Sequence, residues 1–244
     1  GYNPKKVKAL LINYPNNPLG ATATKEYLES VVKFCKKHHI LLLSDAAYAE
    51  MYFKPELKPI SVLSVDGAKD ICVEFHSFSK PYAMTGWRLG WIAAPLWITK
   101  ACNKLQGQYT SGASSIAQKA AEAAYTGSQE CVEEMRKAFE RRRNLIYDLF
   151  SKIPGLQLSK PEGAFYIFPK CDSFFGKKTP KGDTINCAAD LAMYLLAEGH
   201  VACVGGASFG APEYIRMSYA TSDENIKKAE EIPRLLTLCF YLFI

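Results

Sequence analysis

The chain has 244 residues, of which 48% are hydrophobic and 22% are charged, so it can bury a sizeable core and is not a disordered sequence. Its formal net charge of +6 comes from short, scattered basic groups such as residues 36–37, 141–143 and 227–228. We interpret these groups as solvated helix faces, and we therefore predict no nucleic-acid partner.

Eight cysteines lie at least 16 residues apart, so the sequence has no CxxC pair and no spacing typical of a zinc site. We predict free thiols and no bound metal. No apolar run reaches the about 18 residues of a membrane-spanning helix, and the first residues lack the features of a secretory signal. These patterns favour a soluble, cytoplasmic protein without a membrane partner.

Strand-like runs and helical periodicity alternate through the first half. The helical segment TKEYLESVVKFCKKHH, with Thr24 as its predicted N-cap, lies between strand-like runs, which are VKALLIN, ILLLSD, ICVEFHSF and RLGWIAAP. The pattern predicts an α/β fold with a mostly parallel, doubly wound sheet that is covered on both faces. Ligands of such sheets bind at the carboxyl ends of the strands.

From Ser114 the pattern is helical, first to Gly127 and then without a helix breaker to Pro154. Shorter runs follow, namely LQLSKP, AFYIFPKC, an amphipathic stretch over 184–198, VACV, YIRMSY and a last helix from Asp223. We predict a large-domain portion over residues 1–127, an interdomain helix over 128–152 and a small α+β domain over 153–244.

The sharpest chemical signal is SFSKPYAMTGWR, which directly follows a strand-like run. It places Lys80 among apolar and aromatic residues, with Ser77 and Ser79 before it and Arg88 after it. Burial makes a lysine amine available for imine chemistry, while hydroxyls and a guanidinium suit a phosphate. The competing interpretation is a surface lysine beside a structural arginine.

Two further motifs also follow strands. In NYPNNPLG, turn chemistry alone accounts for Asn17 and its neighbours. In SDAAY, Asp45 ends an apolar run and needs a cation or several donors to stay charged, and a pyridinium nitrogen would be such a cation. Helix capping is the alternative role for Asp45, and core packing is the alternative for Tyr48.

In their order along the chain, NNPxG, DxxY, SxSK with a following GxR, and RMSY resemble the fold-type I, class I and II aminotransferases. Within this family the sequence is most similar to the prokaryotic aspartate aminotransferase subgroup. The resemblance extends to about Glu231. It implies the PLP-transferase fold, the cofactor pyridoxal 5′-phosphate, a homodimer in the full-length protein, and transamination between aspartate or glutamate and a 2-oxo acid.

The resemblance also implies roles for individual residues. Lys80 corresponds to the catalytic lysine that forms a Schiff base with the cofactor, and Asp45 and Tyr48 correspond to its catalytic partners. Cofactor binding is implied for Asn17, Asp45, Tyr48, Ser77, Ser79, Lys80 and Arg88. Substrate binding is implied for Arg216, which would hold the α-carboxylate, and for Asn17.

The sequence departs from the family at both ends. Family members carry a further N-terminal portion, so residues 1–127 correspond to the C-terminal part of their cofactor-binding domain. The last residues, TLCFYLFI, replace a charged helix. Three alternatives therefore stay open: an aromatic or kynurenine aminotransferase, a C–S lyase, and an inactive remnant of such an enzyme.

Overall fold

The computed structural model describes residues 6–228, 232 and 235. Cys239 and the tail TLCFYLFI lie outside the described residues. The chain divides into two compact units, the first formed by residues 1–17, 21–137 and 162–164, and the second by residues 18–20, 138–161 and 165–244. The predicted domain limits at residues 127 and 152 stay predictions.

The first unit contains a four-stranded sheet in the order β1 (Ala9–Asn13), β2 (Leu41–Asp45), β3 (Cys72–Ser77) and β4 (Gly90–Ala93). The first three strands are parallel and β4 runs antiparallel to β3. Because β1, β2 and β3 are parallel, their carboxyl ends, Asn13, Asp45 and Ser77, lie at the same edge of the sheet.

Helix α1 (Lys25–His38) connects β1 to β2. The predicted cap is confirmed, since the Tyr27 amide donates to Thr24 Oγ1 at 3.2 Å. Leu28, Val32 and Cys35 of α1 form one buried cluster with Leu42 and Cys72 of the sheet. The sequence predicts a sheet that is covered on both faces, but one face of β1 is uncovered. Leu11 on that face is 66% exposed, whereas Ile12 on the opposite face is 8% exposed.

Three helices follow the sheet: α2 (Leu96–Tyr109), α3 (Ser115–Thr126) and α4 (Glu130–Phe150). The sequence patterns predict α3, its end at Gly127, and α4, but they do not predict α2. Only Ile98 of α2 is buried, so its apolar residues give no clear helical face. The division between the two units falls within α4.

The second unit contains a three-stranded sheet in the order β5 (Tyr166–Ile167), β7 (Ile215–Ser218) and β6 (Val204–Gly205), all antiparallel. Helices α5 (Ala188–Gly199) and α6 (Asp223–Lys228) complete it. The run LQLSKP forms no strand; its Gln157 makes one isolated bridge with Lys170.

The interpretation of residues 141–143 as a solvated face is wrong for Arg143, which is 4% exposed. Its Nη1 donates to the Pro161 carbonyl at 2.6 Å, and burial lowers the pKa of its guanidinium. Arg141 and Arg142 instead form ion pairs with Asp223 of α6. Three successive helix positions point in different directions, so one of the three side chains faces the core.

Candidate active site

The segment around Lys80 leaves β3 in a compact turn. Phe78 is 4% exposed and packs against Met84 and Ala121, which fixes the start of the turn in the core. Ser77 Oγ accepts a hydrogen bond from the Ser79 amide at 3.1 Å. Ser77, Ser79 and Lys80 are half-buried, so they stay accessible to solvent and to a small molecule.

Asp45 and Tyr48 lie at the end of β2, on the neighbouring parallel strand. Asp45 Oδ1 accepts from the Ala47 amide at 3.1 Å, so the carboxylate orders the turn that leads to Tyr48. The Tyr48 ring is buried, and Lys80 Nζ lies 5.6 Å from its centroid. This distance suits a cation–π interaction, and it brings the second and third sequence motifs together.

A concavity of about 370 Å³ lies at the carboxyl ends of β2 and β3. It is lined by Leu11, Asp45, Ala47, Phe75, His76 and Ser77. Asp45 and Ser77, which belong to different motifs, therefore line the same concavity. The volume is that of a small-ligand pocket, and its place at the strand ends is where α/β sheets bind ligands.

Asn17 follows β1 at the same edge of the sheet. The backbone amide of Asn17 donates to Asn13 Oδ1 at 2.9 Å, and Asn13 Nδ2 donates to the backbone carbonyl of Asp45 at 3.1 Å. A side chain on β1 thus ties the first motif to the end of β2. The turn chemistry that the sequence suggested for this motif accounts for its backbone path.

Arg88 has a different environment from the other predicted phosphate ligands. It is exposed, adopts a left-handed backbone conformation with φ of 54°, and donates from Nη1 to the Thr85 carbonyl at 3.0 Å. It does not belong to the residues that line the concavity of Asp45 and Ser77. The Ser79 carbonyl accepts from Thr85 Oγ1 at 3.2 Å, so Thr85 makes hydrogen bonds to both Ser79 and Arg88.

Arg216 lies on β7, the central strand of the second unit. Its Cζ is 4.7 Å from the ring centroid of Tyr166 and 5.0 Å from that of Phe209. The sequence motifs predict Arg216 but neither of the two rings. The position of Tyr166 beside Arg216 results from the pairing of β5 with β7, which no local sequence pattern predicts.

A pair formed by a buried glutamate and a half-buried histidine lies beside the concavity. Glu74, 3% exposed, accepts from Ser61 Oγ at 2.9 Å and from the Val62 amide at 2.8 Å, and its Oε1 lies 2.8 Å from His76 Nε2. The His76 ring stacks on Trp91 with centroids 4.1 Å apart. A glutamate inside an apolar strand is the signal that could have revealed this pair, because a buried charge requires partners.

Comparison with known proteins decides the family. The model of the family described as aminotransferase class I and II matches residues 2–232. The chain belongs to this family. The predicted resemblance is thereby confirmed, and with it the PLP-transferase fold.

Among curated members of the family, the aspartate aminotransferase of Bacillus subtilis is 40% identical over 228 residues, which are 93% of this chain and 56% of that protein. The asparagine–oxo-acid transaminase of Streptococcus mutans is also 40% identical, over 92% of this chain and 56% of its own length. The chain thus spans about half the length of the curated relatives that it matches.

Solved members of the family have the same fold. The aromatic aminotransferase of Pyrococcus horikoshii has a TM-score of 0.88 at 36% identity, covering 97% of this chain and 61% of that one. The aspartate aminotransferase of Rhizobium meliloti has a TM-score of 0.87 at 36% identity, covering 96% and 58%. Of the helices in the described residues, none has both the length and the hydropathy needed to cross a membrane.

Proposed function

We propose that this chain forms part of a pyridoxal-phosphate-dependent aminotransferase, which transfers an amino group between an amino acid and a 2-oxo acid. One observation carries the proposal: Lys80 Nζ lies 5.6 Å from the centroid of the Tyr48 ring. Lys80 follows Ser77 by three residues, and Ser77 lines the same concavity as Asp45. Aminotransferases of class I and II depend on this cofactor.

The donor types of these residues fit the cofactor. Lys80 supplies the primary amine that binds an aldehyde, and the Asp45 carboxylate holds the proton on a pyridine nitrogen. Ser77, Ser79 and Arg88 are the proposed phosphate ligands. When bound, the cofactor would supply an electron sink for the electrons of the substrate's Cα–H bond, and Lys80 would move the proton at that α-carbon.

Three further residues have proposed roles in binding the cofactor or the substrate. Tyr48 and Asn17 would donate hydrogen bonds to the phenolic oxygen of the cofactor and so favour its ionised form. The tie of the Asn17 amide to Asn13, and of Asn13 to Asp45, supports this role because it fixes the backbone at the strand ends. Arg216 binds the α-carboxylate of the substrate as a bidentate ligand, and Asn17 also contacts the substrate.

Aspartate or glutamate is the proposed amino donor, supported by the name of the Bacillus subtilis relative. An aromatic or kynurenine aminotransferase and a C–S lyase are the alternatives within the same cofactor chemistry. A panel of aspartate, asparagine, tyrosine and kynurenine as donors to 2-oxoglutarate distinguishes the aminotransferases. Release of pyruvate from a cysteine thioether, without any acceptor, would instead identify a lyase.

A homodimer and a cytoplasmic location belong to the same proposal. The seven cysteines among the described residues are free thiols, which supports a reducing compartment.

The chain spans about half of the length of its relatives, and an inactive remnant of such an enzyme is the competing hypothesis.

Covalent fixation of the cofactor at Lys80 tests the proposal directly. The chain is incubated with pyridoxal phosphate, reduced with borohydride, and digested, and the modified lysine is located by mass spectrometry. We expect the label at Lys80 and its loss in Lys80→Ala. Lys100→Ala, which removes an exposed lysine on α2, is the control and should keep the label. A label spread over many lysines, unchanged in Lys80→Ala, would favour the remnant.

A further inference from the structure

Two aromatic rings pack against the guanidinium of Arg216 from different parts of the second unit. Tyr166 lies on β5, which pairs with β7 on one side, and is 7% exposed. Phe209 is the last residue of the 3-10 turn Gly206–Phe209, which directly follows β6 on the other side of β7. The Cζ distances to the two ring centroids are 4.7 and 5.0 Å.

Both rings are themselves held in place. Phe209 makes an edge contact with Phe168 at 5.9 Å, and Phe168 stacks on Tyr214 at 4.9 Å. The turn that carries Phe209 is tight, since a Cβ on Gly206 would lie 2.1 Å from the Ala211 carbonyl oxygen. The Phe209 ring beside the Arg216 guanidinium is therefore packed against other aromatic side chains, and the Tyr166 ring is buried.

The two rings restrain the guanidinium in a way that an ion pair does not. An aromatic ring attracts a guanidinium to its face, and it accepts none of the strong hydrogen bonds that the N–H groups make in their own plane. A carboxylate binds to two of these N–H groups in that plane. Aromatic packing thus orders the side chain before a carboxylate arrives, which lowers the entropic cost of binding it.

We infer that Tyr166 and Phe209 are positioning residues that orient Arg216 for bidentate binding of a carboxylate. The inference rests on the proposed function for the role of Arg216, but the arrangement of the rings does not. Loss of the Phe209 ring should weaken carboxylate binding about fivefold to tenfold, which is the size expected for one cation–π contact together with lost preorganisation. The rate of the chemical step should change much less.

The first measurement follows the Arg216 side chain itself. In a 15N-labelled chain, the Nε–Hε resonance of Arg216 is assigned by its loss in Arg216→Lys. The two ring currents should displace this resonance from the position of exposed arginines. We expect Phe209→Leu to shift it towards that position, while Tyr166→Phe keeps the ring and leaves it in place. Phe34→Leu, which removes an exposed ring on α1, is the control. An unchanged resonance in Phe209→Leu would overturn the inference.

The second measurement titrates 2-oxoglutarate against the same resonance. We expect the wild-type resonance to move on binding, and Phe209→Leu and Tyr166→Leu to need a severalfold higher concentration while Tyr166→Phe needs the wild-type concentration. Equal affinity in all variants would overturn the inference and leave the proposed function standing. Ring-dependent binding without borohydride fixation at Lys80 would support the inference and contradict the proposed function. A wild-type Arg216 resonance that does not move at the highest 2-oxoglutarate concentration would also overturn the inference.

Discussion

At the scale of single residues, Glu74 is the clearest case of a polar group whose burial is compensated. Burial alone would raise the pKa of its carboxyl, but hydrogen bonds from His76, Ser61 and the Val62 amide outweigh burial and leave the pKa below its ordinary value. A carboxyl whose pKa is lowered on folding stabilises the protein above its ordinary pKa. That contribution is lost as the pH falls through the lowered value.

Glu74→Gln should therefore destabilise the chain by about 1–3 kcal/mol at pH 7, since one acceptor for the buried donors is replaced by an NH₂ group. Urea unfolding at pH 7 and at pH 4 measures the free energy of unfolding of both proteins. The difference should shrink at the lower pH, because below the ordinary pKa of glutamate the carboxyl takes up a proton first in the unfolded chain, which lowers the stability of the wild type. Glu56→Gln, the same change at an exposed glutamate, is the control. A difference independent of pH would contradict this account.

At the scale of elements, local pattern and capping predict helices that bury one face. Thr24 and the apolar positions of α1 suffice to locate that helix, because they act over three or four residues. Helix α2 has no such face, with Leu96 and Trp97 exposed at its start. The 3-10 turn Gly206–Phe209 depends instead on space that only the folded chain defines.

Gly206→Ala should destabilise the second unit by about 1–3 kcal/mol, because its Cβ would meet the backbone oxygens of Ala211 and Tyr214 at 2.1 and 2.6 Å. Gly107→Ala is the matched control. Gly107 lies in the last turn of α2 and no atom lies within 4 Å of that Cβ, so the change should stabilise by up to about 0.5–1 kcal/mol through the helix propensity of alanine. Thermal unfolding of both variants checks the opposite signs. Equal effects would show that space at residue 206 is not limiting.

At the scale of the whole molecule, the first unit exposes large apolar side chains on β1, α2 and α3. Leu11 is 66% exposed, Trp97 62%, Tyr109 83% and Ile116 75%. Single exposed apolar residues are ordinary on protein surfaces, but β1 is a strand with one covered and one uncovered face. Such a surface favours binding of apolar dyes and self-association.

The isolated chain should consequently bind 8-anilinonaphthalene-1-sulfonate in its folded state. Leu11→Thr keeps a strand-forming residue and should lower the dye fluorescence, because it removes the central apolar side chain of the uncovered face. Leu196→Thr, on the exposed face of α5 in the second unit, should change it little. Fluorescence titration and circular dichroism on the same samples separate dye binding from loss of fold. Equal dye binding by all three proteins would contradict a role for β1.

The sequence by itself determined the family, the parallel strands β1 to β3, and the positions of Asp45, Ser77 and Lys80 at or just after the carboxyl ends of strands. Each of these follows from local periodicity or from a motif that acts within a few residues. Only the tertiary structure decided the burial of Arg143, the partners of Glu74 and the rings beside Arg216. Except for the neighbouring Glu74 and His76, those contacts join residues that are well separated in the chain, such as Tyr166 and Arg216, and they arise from strand pairing and core packing that no local pattern encodes.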